Sequence, residues 1–166
     1  MEMSIYRKPL KYQGYAIVLQ EVPDEITLAF NISGCPYRCP QCHSKHLWEY
    51  TGNYLGQDFD KVLSEYKDYI SCVCFMGGDY NINELHDLCK RVKELNLKTA
   101  IYSGSDSIVI FEGLFNDNLI DYIKIGHYDP EKGGLDKLYT NQLMYKVNGT
   151  KLVNINSMFR KHKNFT

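Results

Sequence analysis

Three cysteines in one short stretch, Cys35, Cys39 and Cys42, are the residues best suited to chemistry. The stretch reads Gly34-Cys35-Pro36-Tyr37-Arg38-Cys39-Pro40-Gln41-Cys42-His43, a C-x3-C-x2-C spacing. Three thiolates so close in one loop can face a common point. Soft sulfur ligands favour iron–sulfur clusters, zinc or copper(I). A cubane cluster has four irons, so three cysteines leave one iron without a protein thiolate and open to a small molecule. The competing reading is a zinc site with His43 or His46 as fourth ligand. Structural zinc sites usually bring two separated Cys/His pairs, and the sequence shows no obvious second pair.

Four further groups fall at the ends of expected strands. Gly77-Gly78-Asp79 follows an apolar run, and its glycines let the backbone approach a ligand closely. Without the cysteine motif, the same residues read as an ordinary strand-to-helix turn. Ser103 and Gly104 end the next strand, where the hydroxyl either meets a ligand or caps the following turn. Lys124 lies inside the apolar strand Tyr122-Ile123-Lys124-Ile125. Burying a lysine is costly unless it is paired, so it either meets an anion or lies on an exposed strand face. His127 is a lone loop histidine, a weaker candidate. The other cysteines, Cys72 and Cys74 on a strand and Cys89 on a helix, read as small buried hydrophobes. The sequence offers no acid–base pair or catalytic triad.

The elements that must hold these residues alternate. Tyr15–Gln20 and Ile26–Asn31 read as strands, with a turn over Glu21–Glu25. Phe59, Val62, Leu63, Tyr66 and Tyr69-Ile70 recur at helical spacing. Cys72–Met76 is a buried strand. Ile82–Leu95 carries a helical stripe of Leu85, Leu88, Val92 and Leu95, capped by Asn81 or Asn83. Lys98–Tyr102 is a strand, Ile108–Phe115 is helical, and Tyr122–Ile125 is a strand. Gln142–Asn156 holds one or two weaker strands. This alternation predicts an α/β fold with a parallel sheet and right-handed crossovers. The 166 residues suit a single domain over 1–166 but not an eight-unit closed barrel of about 250 residues. An open or partial β/α barrel fits, with its site at the carboxyl ends of the strands.

The net charge of −1 lacks the basic surplus of a nucleic-acid binder. No apolar run is long enough to span a bilayer. Residues 1–8 have no apolar stretch of signal-peptide length, so a cytoplasmic location is expected. In a reducing compartment, six cysteines read as metal ligands or free thiols rather than disulfides.

The cysteine spacing resembles that of the radical S-adenosylmethionine superfamily. The wider string Asn31–His43 is similar to the activating proteins of anaerobic ribonucleoside-triphosphate reductase, as are Gly77-Gly78-Asp79, Tyr102-Ser103-Gly104 and Thr140-Asn141-Gln142. The resemblance implies a partial barrel of the radical S-adenosylmethionine type. It implies a [4Fe–4S] cluster on Cys35, Cys39 and Cys42, and S-adenosylmethionine held by Gln41, Gly77, Gly78, Asp79, Ser103 and Lys124. The cosubstrate would be cleaved to a 5′-deoxyadenosyl radical, which takes a hydrogen atom from a glycine in the glycyl-radical subunit of that reductase. A flavodoxin-type protein would supply the electron. Another glycyl-radical enzyme, or a deazapurine-type small molecule, is an alternative target. Two departures stand out. Asp79 occupies a position that is usually Glu in the superfamily. Gln41 stands where many superfamily members have an aromatic residue and the activating proteins commonly have glycine.

Overall fold

The computed structural model describes residues 8–160. The first seven residues, part of the N-terminal stretch read above for apolar length, lie outside that range. Four parallel strands form the centre: β2 (Thr27–Ile32), β4 (Cys72–Met76), β5 (Lys98–Tyr102) and β6 (Tyr122–Ile125). Their register aligns Phe30 with Phe75, Phe75 with Ile101, and Ile101 with Ile123. Helices α1 (Leu55–Tyr66), α2 (Ile82–Glu94) and α3 (Glu112–Asn116) lie in the crossovers. Four more strands flank this centre in antiparallel pairing: β1 (Lys11–Val18) on β2, β3 (Asn53–Tyr54) on β1, β7 (Leu143–Asn148) on β6 and β8 (Lys151–Asn154) on β7. The sheet order is β3-β1-β2-β4-β5-β6-β7-β8.

The flanking strands follow from connection length. Strands β1 and β2, like β7 and β8, are joined by short turns, which allow only antiparallel neighbours, whereas a parallel step needs a crossover. The first strand begins earlier than its sequence pattern predicts and ends at Val18, because its outer face is exposed and carries no clear alternation. The first helix likewise starts at Leu55 and stops at Tyr66, and Tyr69 is exposed. The predicted helix over 108–115 divides into a 3-10 turn at Val109–Phe111 and α3.

One sheet face packs on the helices. Leu55, Phe59, Val62 and Leu63 of α1 and Leu85, Leu88, Cys89 and Val92 of α2 form the buried stripes. Phe59 fills the gap between Phe30 and Phe75, with ring centroids 5.4 and 5.7 Å away. The Asn81 side chain caps α2 by accepting the Glu84 amide at 3.1 Å. The opposite face is lined by Ala29, Cys72, Cys74, Ala100, Tyr122 and Met144. Small side chains there let the β1–β2 turn lie close, with Val22 fully buried.

At the amino ends of the parallel strands, that turn is anchored by Glu25, which is 5% exposed. Its carboxylate accepts from the Ser71 hydroxyl at 2.6 Å, from the Tyr122 hydroxyl at 3.1 Å and from the Lys98 ammonium. A buried carboxylate is tolerated when it is paired and hydrogen-bonded in this way. No helix among the described residues is long and apolar enough to cross a membrane.

Candidate metal centre

The carboxyl ends of the same strands carry the reactive residues. The chain leaves β2 through Ser33 and Gly34 and enters the cysteine loop. Gly34 lies in the left-handed region, wedged against the rings of Tyr50 and Tyr80. Its amide and that of Cys35 both bond the Leu47 carbonyl, which fixes the loop's first cysteine to the turn that follows. Arg38 (φ 47°) and Gln41 (φ 55°) also adopt left-handed backbone. Such conformations are uncommon outside glycine, and here they reverse the chain between successive cysteines.

Cys35, Cys39 and Cys42 are unpaired and half-buried, whereas Cys72, Cys74 and Cys89 are fully buried. Burial pushes the Cys72 thiol up to about 12 and raises Cys74 and Cys89 as well. A thiol must ionise to bind metal, so the buried three remain packing residues.

The donor set fits an iron–sulfur cluster. Three soft ligands share one loop, and two receive backbone amides at sulfur. The Ser44 amide points to Cys42 Sγ at 3.3 Å, and the Tyr128 amide to Cys39 Sγ at 3.4 Å. Amide donors to sulfur are a recurrent outer shell of such clusters and tune their potential. Among the described residues, no group of three or more His, Cys, Asp or Glu is gathered as a single ion would need. A cubane asks for a different arrangement, with one thiolate on each of three irons. His43 and His46, the fourth ligands considered for zinc, are exposed, and the His43 ring rests against Tyr128 with centroids 5.8 Å apart.

The other predicted residues sit on this rim. Gly77 and Gly78 follow β4 with φ of 112° and 95°. A side chain on Gly77 would press on Ile32 and one on Gly78 on Leu85, so the backbone passes where no larger residue fits. Asp79 turns towards the cysteine loop. Its Oδ2 accepts from the Tyr37 hydroxyl at 2.5 Å and from the Ser103 hydroxyl. Burial pushes the Asp79 carboxyl above its ordinary range, against the pull of those two donors. Ser103 is buried, and its hydroxyl is taken up by Asp79 and by the Ser105 amide at 2.9 Å. The Gln41 side chain is exposed.

Lys124 is partly buried, and its ammonium donates to two carbonyls, Gly126 at 2.8 Å and Ser103 at 3.2 Å. No carboxylate of the described residues lies within ion-pair distance of it. Desolvation pushes its pKa down to about 8, opposed by the negative groups of Cys39, Asp79 and Cys35. His127 is not a lone residue. Its Nδ1 lies 2.8 Å from Asp106 Oδ1, which also accepts the His127 amide at 3.1 Å. That bonding holds the Asp106 carboxyl below its ordinary value.

Sequence reasoning named the cysteines, the glycine pair and Lys124. It missed Tyr37 as a partner of Asp79, the two amide donors to sulfur, and the Asp106–His127 pair. All but the Ser44 amide on Cys42 join segments distant in sequence, where no local pattern marks them.

A thiol loop at the carboxyl rim of a parallel α/β sheet, with amide donors on its sulfurs, defines an iron–sulfur protein. Residues 26–126 match the family model of the 4Fe-4S single cluster domain, and the chain belongs to that family. The matched span runs from the first parallel strand to the end of the last, so it includes the thiol loop, the glycine pair, Ser103 and Lys124. Neither the curated proteins nor the solved structures contain a match.

Proposed function

We propose that this protein is a radical S-adenosylmethionine enzyme. In this reading it activates the glycyl-radical subunit of anaerobic ribonucleoside-triphosphate reductase, its sheet serves as a partial β/α barrel, and a flavodoxin-type protein supplies the electron. The chemistry that a reduced [4Fe–4S] cluster supplies when bound is one-electron cleavage of the sulfonium carbon–sulfur bond.

The observation that carries this reading is Lys124. It is a partly buried ammonium beside the cluster thiols, held by two carbonyls and with no carboxylate of the described residues within ion-pair distance. A lysine in that setting calls for an anion. The methionine carboxylate is one of the right size and sign, and it would share the rim with Cys35, Cys39 and Cys42. The Gly78 carbonyl accepts the Asn81 amide at 3.0 Å, so in this reading the methionine amino group falls to the Gly77 carbonyl. The left-handed turn at Gln41 and its exposed side chain favour a backbone contact with the ligand. The Ser103 carbonyl holds the Lys124 ammonium in place. The activase assignment rests on the resemblance of Asn31–His43 and Thr140–Gln142. Exposure of Pro36, Arg38, Pro40, Gln41 and His43 around the thiols supports it, because a protein loop must reach them.

Anaerobic reconstitution with iron and sulfide tests the reading. The expected result is a brown protein that, once reduced, converts S-adenosylmethionine to 5′-deoxyadenosine and installs a glycyl radical, seen by electron paramagnetic resonance, on the reductase. A colourless protein holding one zinc would overturn it.

A further inference from the structure

Tyr37 lies between the first two cysteines of the loop, and Asp79 follows the glycine pair at the end of β4. Their bond, 2.5 Å from the Tyr37 hydroxyl to Asp79 Oδ2, joins segments 42 residues apart. The same oxygen accepts the Ser103 hydroxyl from the end of β5, and the Ser105 amide bonds that hydroxyl in turn. Three elements therefore meet on one carboxylate oxygen. Gly104 completes the arrangement. A Cβ there would stand 2.6 Å from Tyr37 Cδ2 and 2.9 Å from Cγ, so the ring lies directly on the glycine backbone. Gly104 is not in the left-handed region. Its lack of a side chain therefore serves the ring rather than the turn.

From this geometry we infer that Tyr37 and Asp79 form a strut that fixes the cluster loop to the ends of β4 and β5. Asp79 is then a positioning residue for the cysteines, not a ligand of the cosubstrate. The second half of this statement rests on the radical S-adenosylmethionine reading, and the first half does not. The aspartate explains its own departure from the superfamily pattern. Tyr37 and Ser103 meet a carboxylate at this side-chain length, and the oxygen that accepts both hydroxyls is committed to the strut. The cosubstrate's amino group is left to the Gly77 carbonyl.

Two readouts on the cluster-loaded full chain separate the roles: the rate of iron loss to a chelator, measured without S-adenosylmethionine, and the equilibrium binding of S-adenosylmethionine. Tyr37→Phe and Asp79→Ala are each expected to speed iron loss about tenfold, the scale of one lost hydrogen bond to a charged group. The double variant should be no faster than the faster single, as for two halves of one contact. Asp79→Asn keeps an acceptor oxygen for both hydroxyls and should stay within about twofold of wild type in both readouts. Gly104→Ala should speed iron loss by displacing the Tyr37 ring while leaving every hydroxyl in place. If Asp79→Ala does not fold, Tyr37→Phe, Asp79→Asn and Gly104→Ala still decide the matter. Iron loss unchanged in Tyr37→Phe and Gly104→Ala would overturn the strut. A tenfold loss of S-adenosylmethionine affinity in Asp79→Asn with iron retention intact would make Asp79 a ligand and overturn the second half. Failure of the wild type to bind S-adenosylmethionine would sink the proposed function, leaving the strut to be judged on iron loss alone.

Discussion

The four parallel strands treat a lysine differently at their two ends. At the amino ends, Lys98 is joined to the buried Glu25, which also accepts from Ser71 and Tyr122. At the carboxyl ends, Lys124 donates to the carbonyls of Ser103 and Gly126. Bonding to Glu25 raises the Lys98 pKa, whereas desolvation lowers that of Lys124 to about 8. The first end is closed by the chain itself. At the second, three half-buried thiols, two glycines and Lys124 share one rim. Of the two lysines, the one the chain pairs with a carboxylate belongs to the architecture, and the other marks the candidate site.

Removing a proposed cluster ligand is the strongest way to test that contrast. Cys39→Ala deletes a thiol and the acceptor of the Tyr128 amide. Colour and cofactor cleavage are expected to vanish in the reconstituted protein, while the circular-dichroism melt of the cluster-free chain barely moves. A melt that collapses would mean the carboxyl end is structural after all.

Lys124→Met should have opposite effects on binding and on stability. Affinity for S-adenosylmethionine is expected to fall at least a hundredfold by equilibrium dialysis, while the cluster is retained. The cluster-free fold is expected to gain up to about 2 kcal/mol at neutral pH, since a pKa lowered by a few units reflects a charge whose burial opposes folding. The sign follows from proton counting. Between the folded value near 8 and the unfolded value of 10.5, the unfolded chain binds more protons, so wild-type stability rises with pH across that window. Denaturant titrations should show this rise in the wild type and a flatter profile in Lys124→Met. Equal profiles would remove the asymmetry between the two lysines.

Glu25→Ala probes the closed end. It strands the Tyr122 hydroxyl and frees Lys98, whose half-exposed side chain can turn to solvent. A loss of about 2–3 kcal/mol is expected in chemical denaturation, set by the buried donors left unsatisfied. Cluster loading of the folded protein at low temperature should stay the same. Lost loading with unchanged stability would show the two ends to be coupled.

The sequence carried the parallel centre because fully buried strands such as Cys72–Met76 are apolar throughout and separated by helical stripes. It carried the thiol loop because ligand spacing is local. The flanking antiparallel strands were harder to read, since β1 exposes Tyr15 and Ile17 and blurs its alternation. The bonds that organise the rim were not legible. Tyr37 to Asp79, Tyr128 to Cys39 and Asp106 to His127 each depend on which strand neighbours which, and a single sequence records that order only indirectly. His127 shows the consequence, because a histidine that reads as a lone loop residue is paired in the fold.

Gln41 offers the finest test. Its φ of 55° places a side chain in left-handed backbone between the second and third cysteines. For a non-glycine residue that conformation costs about 1–2 kcal/mol. Gln41→Gly removes the cost but gives the unfolded chain more freedom to lose, a penalty of about 0.5–1 kcal/mol. The difference predicts a loop slightly better set for its ligands: iron loss to a chelator slowed by no more than about fivefold, with global stability changed by less than about 1 kcal/mol. Because the Gln41 side chain is exposed, cosubstrate affinity should follow the backbone and stay within about twofold. A large fall in that affinity would mean the glutamine side chain itself touches the ligand, and the open end of the sheet would then contain one more working side chain than the geometry assigns to it.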